Sequence, residues 1–121
     1  PMKSVLVVDD NELVRNLIVT ILEDAGIEAL TAASGREAIR LFADQGAAIG
    51  CVLQDLSMPQ MPGEEIVAAL LEIDPALPII ILSVDDPSYS ATRLSGLDIA
   101  AYIRKPFDTD LLVGKVREFI E

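Results

Sequence analysis

Ser4-Val5-Leu6-Val7-Val8 runs without interruption into Asp9-Asp10, and that junction decides how the chain is read. A short, β-branched run with no polar alternation is the pattern of a strand covered on both faces, as in a parallel sheet flanked by helices. The pattern recurs three times. Cys51-Val52-Leu53-Gln54 runs into Asp55, Ile79-Ile80-Ile81-Leu82 into Ser83, and Ala100-Ala101-Tyr102-Ile103-Arg104 into Lys105-Pro106. Parallel strands all finish on one edge, so three carboxylates, a hydroxyl and an ammonium are expected to meet there. Such an edge suits a divalent metal ion and a phosphoryl group.

Working outward, the segments between these runs carry helical periodicity. Lys3 to Val8 is a predicted strand, followed by a helix from Asn11 to Ala25 with Leu13, Leu17, Ile18, Ile21 and Leu22 at helical spacing, stopped by Gly26. Ile27 to Thr31 reads as a weaker strand at a sheet edge. Ser34 caps a second helix that runs to Gln45. The third strand is Ile49 to Gln54, the third helix Glu64 to Ile73, and the fourth strand Ile79 to Leu82. Asp86-Pro87 has the chemistry of a helix start, opening a short polar fourth helix. Ala101 to Arg104 and Asp108 to Ile120 complete five β/α units. Right-handed crossovers place helices on both faces. The predicted fold is one doubly wound α/β domain with a flavodoxin-like parallel sheet in the order 2-1-3-4-5.

Composition narrows the function. At 121 residues the chain fits one domain, and 51% hydrophobic residues with only 4% aromatics imply an aliphatic core. Twenty acids against nine bases give a net charge of −11, which argues against direct nucleic-acid binding or an anionic membrane surface. The apolar runs are far shorter than the roughly 20 residues a bilayer span needs. Cys51, the single cysteine, reads as a small buried hydrophobe. Pro1 before Met2 reads as a cloning remnant, and the expected compartment is the cytoplasm.

Ligands of open parallel α/β sheets bind beyond the strand C-termini at the topological switch point, here between strands one and three. Asp9, Asp10 and Asp55 fall there. Asp9-Asp10 alone would serve as a helix cap; with Asp55 on the neighbouring strand they are better read as a metal site, because clustered carboxylates repel unless a cation neutralises them. Pro106 cannot extend the strand ladder, so the strand breaks there and holds Lys105 at the edge.

Val7-Val8-Asp9-Asp10-Asn11, Gln54-Asp55-Leu56-Ser57-Met58-Pro59 with Met61-Pro62-Gly63, Ile81-Leu82-Ser83, and Tyr102-Ile103-Arg104-Lys105-Pro106-Phe107 stand in this order along the chain. Together they resemble the CheY-like receiver domain of bacterial two-component response regulators, across essentially residues 1–121. The resemblance implies an aspartyl-phosphate switch. Asp55 would accept a phosphoryl group from a phosphohistidine on a sensor histidine kinase or histidine phosphotransfer protein. Asp10, Asp55 and the Ser57 backbone carbonyl would ligate Mg2+, with Asp9 acting through bound water. Lys105 and Ser83 would hold the phosphoryl oxygens, and Pro106 would follow a cis peptide. Movement of Ser83 would let Tyr102 rotate inward, changing the surface of helix four, strand five and helix five for a downstream effector or attached output domain. Such a domain signals and is not an enzyme in the turnover sense. It would stand alone or form part of a larger protein such as a hybrid histidine kinase.

Two positions depart from the family pattern. Val84 replaces the usual small residue after Ser83 and could narrow access to Asp55; Gln54 replaces an apolar residue before it. Asp85 and Ser57 occupy positions that tune the acyl-phosphate lifetime. A flavodoxin-like cofactor binder would need a Gly/Ser/Thr-rich loop after strand one, where Asp9-Asp10-Asn11-Glu12 stands instead. An aspartyl phosphohydrolase would pair Asp55 with an acid two residues on, where Ser57 stands. A receiver-like interaction module that is never phosphorylated is the remaining alternative.

Overall fold

The computed structural model describes residues 2–121; Pro1, read above as a cloning remnant, lies outside them. Five strands form one parallel sheet: β1 (Ser4–Val8), β2 (Ala29–Ala32), β3 (Ile49–Asp55), β4 (Ile79–Ser83) and β5 (Ala101–Arg104). Their order is β2-β1-β3-β4-β5, as the hydrophobic runs predict. The helices are α1 (Glu12–Asp24), α2 (Gly35–Gln45), α3 (Gly63–Ile73), α4 (Pro87–Arg93) and α5 (Thr109–Ile120).

Alternation along the central strands divides the core in two. Val5, Val7, Cys51, Leu53, Ile80 and Leu82 face α1 and α5, meeting Ile18, Leu22, Leu112 and Val116. Leu6, Val8, Val52, Ile79 and Ile81 face the other way, against Ala38 and Phe42 of α2 and Ile66, Val67 and Leu70 of α3. Every residue of β1 and β4 is buried, which is why these runs carry no polar alternation. Cys51 lies in the first of these layers, and burial pushes its thiol up to about 12. It is the inert hydrophobe its neighbours suggest.

The edge strand is shorter than predicted. Ile27 does not belong to β2. Gly26, with φ of +79°, ends α1 in a left-handed turn, and the Ile27 N–H donates to the Leu22 carbonyl at 2.9 Å while Gly26 N–H donates to Glu23. This is a Schellman closure, and Ile27 is the apolar residue that seals it against Leu22. The strand begins only at Ala29. Asn11 and Asp108 are likewise caps rather than helical residues, each accepting two main-chain N–H bonds with its side chain. Asp55 and Ser83 are the last residues of their strands, not the first of the loops.

Gly35 opens α2 where that helix touches α3. A Cβ there would lie 2.6 Å from Cγ1 of the fully buried Ile66 and 2.9 Å from Met61 Sδ, so the close approach needs a residue with no side chain. No helix among the described residues is long and apolar enough to cross a membrane.

Candidate functional site

The register Val8↔Gln54 between β1 and β3 brings the next residue of each strand, Asp9 and Asp55, side by side. Asp10 follows at once. The three carboxylates each place an oxygen within 4.8 Å of the others. Asp9 and Asp55 are buried and Asp10 is exposed, so the cluster opens to solvent on one side only. Lys105 arrives from β5. Its main-chain N–H donates to the Ser83 carbonyl at 2.7 Å, fixing the strand end, and the Lys105–Pro106 peptide is cis. The side chain then turns inward, with Nζ 3.1 Å from Asp55 Oδ1 and 3.5 Å from Asp9 Oδ2.

Local hydrogen bonds hold Asp9 still. Its Oδ1 accepts the Asn11 N–H at 2.9 Å, and its carbonyl accepts from the Arg15 guanidinium at 2.8 Å. Burial pushes the Asp55 carboxyl above the usual aspartate range; the Lys105 ammonium opposes this, and the Asp9 charge reinforces it. Three carboxylates and one ammonium leave two formal negative charges around an open cleft of about 530 Å³. An all-oxygen donor set with that charge deficit fits a hard divalent cation and not a soft transition metal. Asp9, Asp10 and Asp55 could hold it.

The cleft gathers Asp9, Asp10, Asp55, Ser57 and Lys105. Val84, 60% exposed, forms part of its wall, as do Asn11 and Val14. Ser83 and Tyr102 are not among its lining residues. The Ser83 hydroxyl accepts the Asp85 N–H at 3.1 Å and lies 3.4 Å from Asp85 Oδ2, so it faces the β4–α4 loop. Tyr102 is half-buried against the α2–α3 side of the sheet, where desolvation raises its phenol.

Sequence reading missed the interactions of four residues. Arg15 acts on Asp9 through a backbone carbonyl six positions away, which leaves no local signature. Glu64 at the start of α3 and Arg93 at the end of α4 form a forked ion pair, with Nη2–Oε1 at 2.6 Å and Nε–Oε2 at 3.2 Å. Gln54, noted only as a departure, donates from Nε2 to the Asp55 carbonyl at 2.8 Å.

Comparison with known proteins agrees with this geometry. The family model of the response regulator receiver domain matches residues 5–117. The chain is 30% identical over 129 residues to the alkaline phosphatase synthesis transcriptional regulatory protein SphR of Synechococcus elongatus, covering 99% of this chain and 49% of that protein. It superposes on the chemotaxis response regulator CheY4 of Vibrio cholerae with a TM-score of 0.85 at 30% identity, covering 99% of this chain and 100% of that one. A receiver domain protein from Clostridium thermocellum superposes with a TM-score of 0.89 at 29% identity, covering 98% of this chain and 94% of that one. The chain spans about half the length of SphR and about a quarter of other curated relatives.

Proposed function

The chain belongs to the response regulator receiver family of two-component signalling, and on that premise we propose that it accepts a phosphoryl group on Asp55 from a phosphohistidine. The observation that carries this is the ammonium of Lys105 lying 3.1 Å from a buried carboxylate in an acidic, solvent-open cleft.

An Asp55 carboxylate oxygen attacks phosphorus in line, the P–N bond to imidazole breaks, and an acyl phosphate forms. The imidazole leaves with the bonding electron pair and takes a proton from solvent. Lys105, paired with Asp55 at rest, turns to the phosphoryl oxygens and offsets their charge. Asp10, Asp55 and the Ser57 carbonyl would hold Mg2+, with Asp9 engaging it through water. Held by those residues, the ion would supply positive charge that offsets the repulsion between the Asp55 carboxylate and an incoming phosphoryl group. Ser83 would leave Asp85 to hydrogen-bond the new phosphoryl group. Tyr102 would turn inward and change the α4–β5–α5 face.

The donor would be a sensor histidine kinase or histidine phosphotransfer protein in the cytoplasm. Residues 1–121 would form one receiver unit, serving a separate effector or an attached output domain. The domain promotes its own phosphorylation and dephosphorylation rather than turning over an external substrate. Incubation with acetyl phosphate and Mg2+ followed by intact mass spectrometry tests the reading: one added phosphoryl group is expected, and Asp55→Ala should abolish it. Val84 on the cleft wall favours a second reading, a receiver-like module that is never phosphorylated. No adduct from acetyl phosphate or from a phosphohistidine partner would select it.

A further inference from the structure

Gln54 is completely buried one residue before the proposed phosphoacceptor, in a core layer that is mostly apolar. Its amide is spent unevenly. Nε2 donates to the Asp55 carbonyl at 2.8 Å and approaches Met58 Sδ at 3.5 Å, which fixes the orientation of the group. Oε1 is buried and makes no hydrogen bond. A buried carbonyl without a donor is costly, so such groups call for an explanation.

The other buried side-chain oxygen without a partner, among the described residues, is Ser90 Oγ in α4. The two lie on the same side of the sheet. Gln54 stands in register with Ile81 of β4, and Ile81 with Tyr102 of β5. Ile81, Tyr102 and Leu94 belong to one core layer. Ser90 precedes Leu94 by one helical turn, so both share the inward face of α4. α4 starts just beyond the C-terminal end of β4 and packs against β5, so Ser90 in its middle stands nearer that end of the sheet than Leu94 at its C-cap. A hydroxyl donor and an amide acceptor thus face the same layer, one on the helix and one on the strand that carries Asp55.

We propose that Gln54 is a positioning residue coupling Asp55 to α4: its nitrogen holds the Asp55 carbonyl, and its oxygen receives the Ser90 hydroxyl once Asp55 is phosphorylated. This rests on the phosphoacceptor reading above. The helix is suited to the movement. It has only seven residues; its long-range side-chain contacts are an exposed ion pair of the N-cap Asp86 with Arg104 at 3.8 Å and the Arg93–Glu64 fork at the far end. Inward movement of the first turn would close the Gln54–Ser90 bond while the Arg93–Glu64 fork holds the other end.

The test is a double-mutant cycle read by titration with beryllofluoride and Mg2+, a mimic of the acyl phosphate, using Ser90→Ala, Gln54→Met and the double variant. Each single variant is expected to weaken beryllofluoride binding roughly fivefold, and the double variant no more than the worse single. In the free domain Ser90→Ala should leave Tm unchanged or raise it, because it removes an unpartnered hydroxyl. A role in resting packing alone would do the opposite. Unchanged beryllofluoride affinity in Ser90→Ala, whatever its Tm, or additive losses in the double variant, would overturn the coupling. Beryllofluoride uptake by the unsubstituted chain that Asp55→Ala does not abolish, or no uptake at all, would remove the phosphoacceptor reading itself.

Discussion

Lys105 Nζ lies 3.1 Å from Asp55 Oδ1, although fifty positions separate them along the chain. The pairing places the single ammonium of the cleft against a carboxylate that burial disfavours as an anion. Lys105 therefore has two tasks. It opposes the burial that raises the Asp55 carboxyl, and on the proposed reading it would receive phosphoryl charge.

Replacing Lys105 separates those tasks from cation binding. Lys105→Met should slow acetyl-phosphate labelling of Asp55 by about 100-fold or more, the usual loss for one electrostatic partner of a transferring group. Mg2+ affinity, measured by calorimetry, should hold or rise, since a competing positive charge has gone. Parallel loss of both would mean that Lys105 mainly maintains the fold of the cleft.

Asp55→Asn should stabilise the domain in cation-free buffer at pH 7. The folded carboxyl titrates above its unfolded value, so the native state binds the extra proton. That contribution is complete in acid and is lost as pH rises through the folded value. The advantage of Asn in thermal melts should accordingly vanish below about pH 3.9, where the unfolded carboxyl is also neutral. Mg2+ at 100 times its Kd should stabilise the unsubstituted protein by about 2.7 kcal/mol, and the Asn variant by much less.

The Glu64–Arg93 fork should show the opposite pH dependence. Arg93 holds the Glu64 carboxyl below the usual range, so its stabilisation is present above about pH 4.3 and is lost as pH falls through the folded value. Glu64→Gln should cost about 0.5–1 kcal/mol at pH 7, modest because both side chains are partly exposed. Melts of the two proteins should converge once the pH lies below the folded value of the Glu64 carboxyl. A gap that persists there would assign the loss to packing.

Val84→Ala opens the cleft wall. Acetyl-phosphate labelling and subsequent hydrolysis should both accelerate several-fold, while stability stays within about 0.5 kcal/mol because the side chain is largely exposed. Equal rates in the two proteins would show that Val84 does not limit access to Asp55.

Gly35→Ala should destabilise the domain by about 1–3 kcal/mol, because the added methyl meets Ile66, which is fully buried and has no room to yield. Chemical denaturation measures this directly. An unchanged midpoint would mean that α2 and α3 can separate at no cost.

The sequence alone determined the sheet order and the edge where Asp9, Asp10, Asp55 and Lys105 meet. Those features follow from local polarity: runs buried on both faces must be central strands, and parallel strands share one end. It also marked Gly26 as a helix stop, but it could not assign Ile27 to the closure rather than the strand, because an apolar residue satisfies either. Tertiary structure decided what depends on contacts between distant elements. Only the packed molecule turns the Ser83 hydroxyl toward Asp85, sets Arg15 on the Asp9 carbonyl and joins Glu64 to Arg93. The same holds for Gln54, whose amide is polar in any sequence and becomes an unanswered acceptor only when β3 is covered. Hydrogen bonds between distant segments depend on register and side-chain direction, and neither is written in the polarity pattern of a single segment.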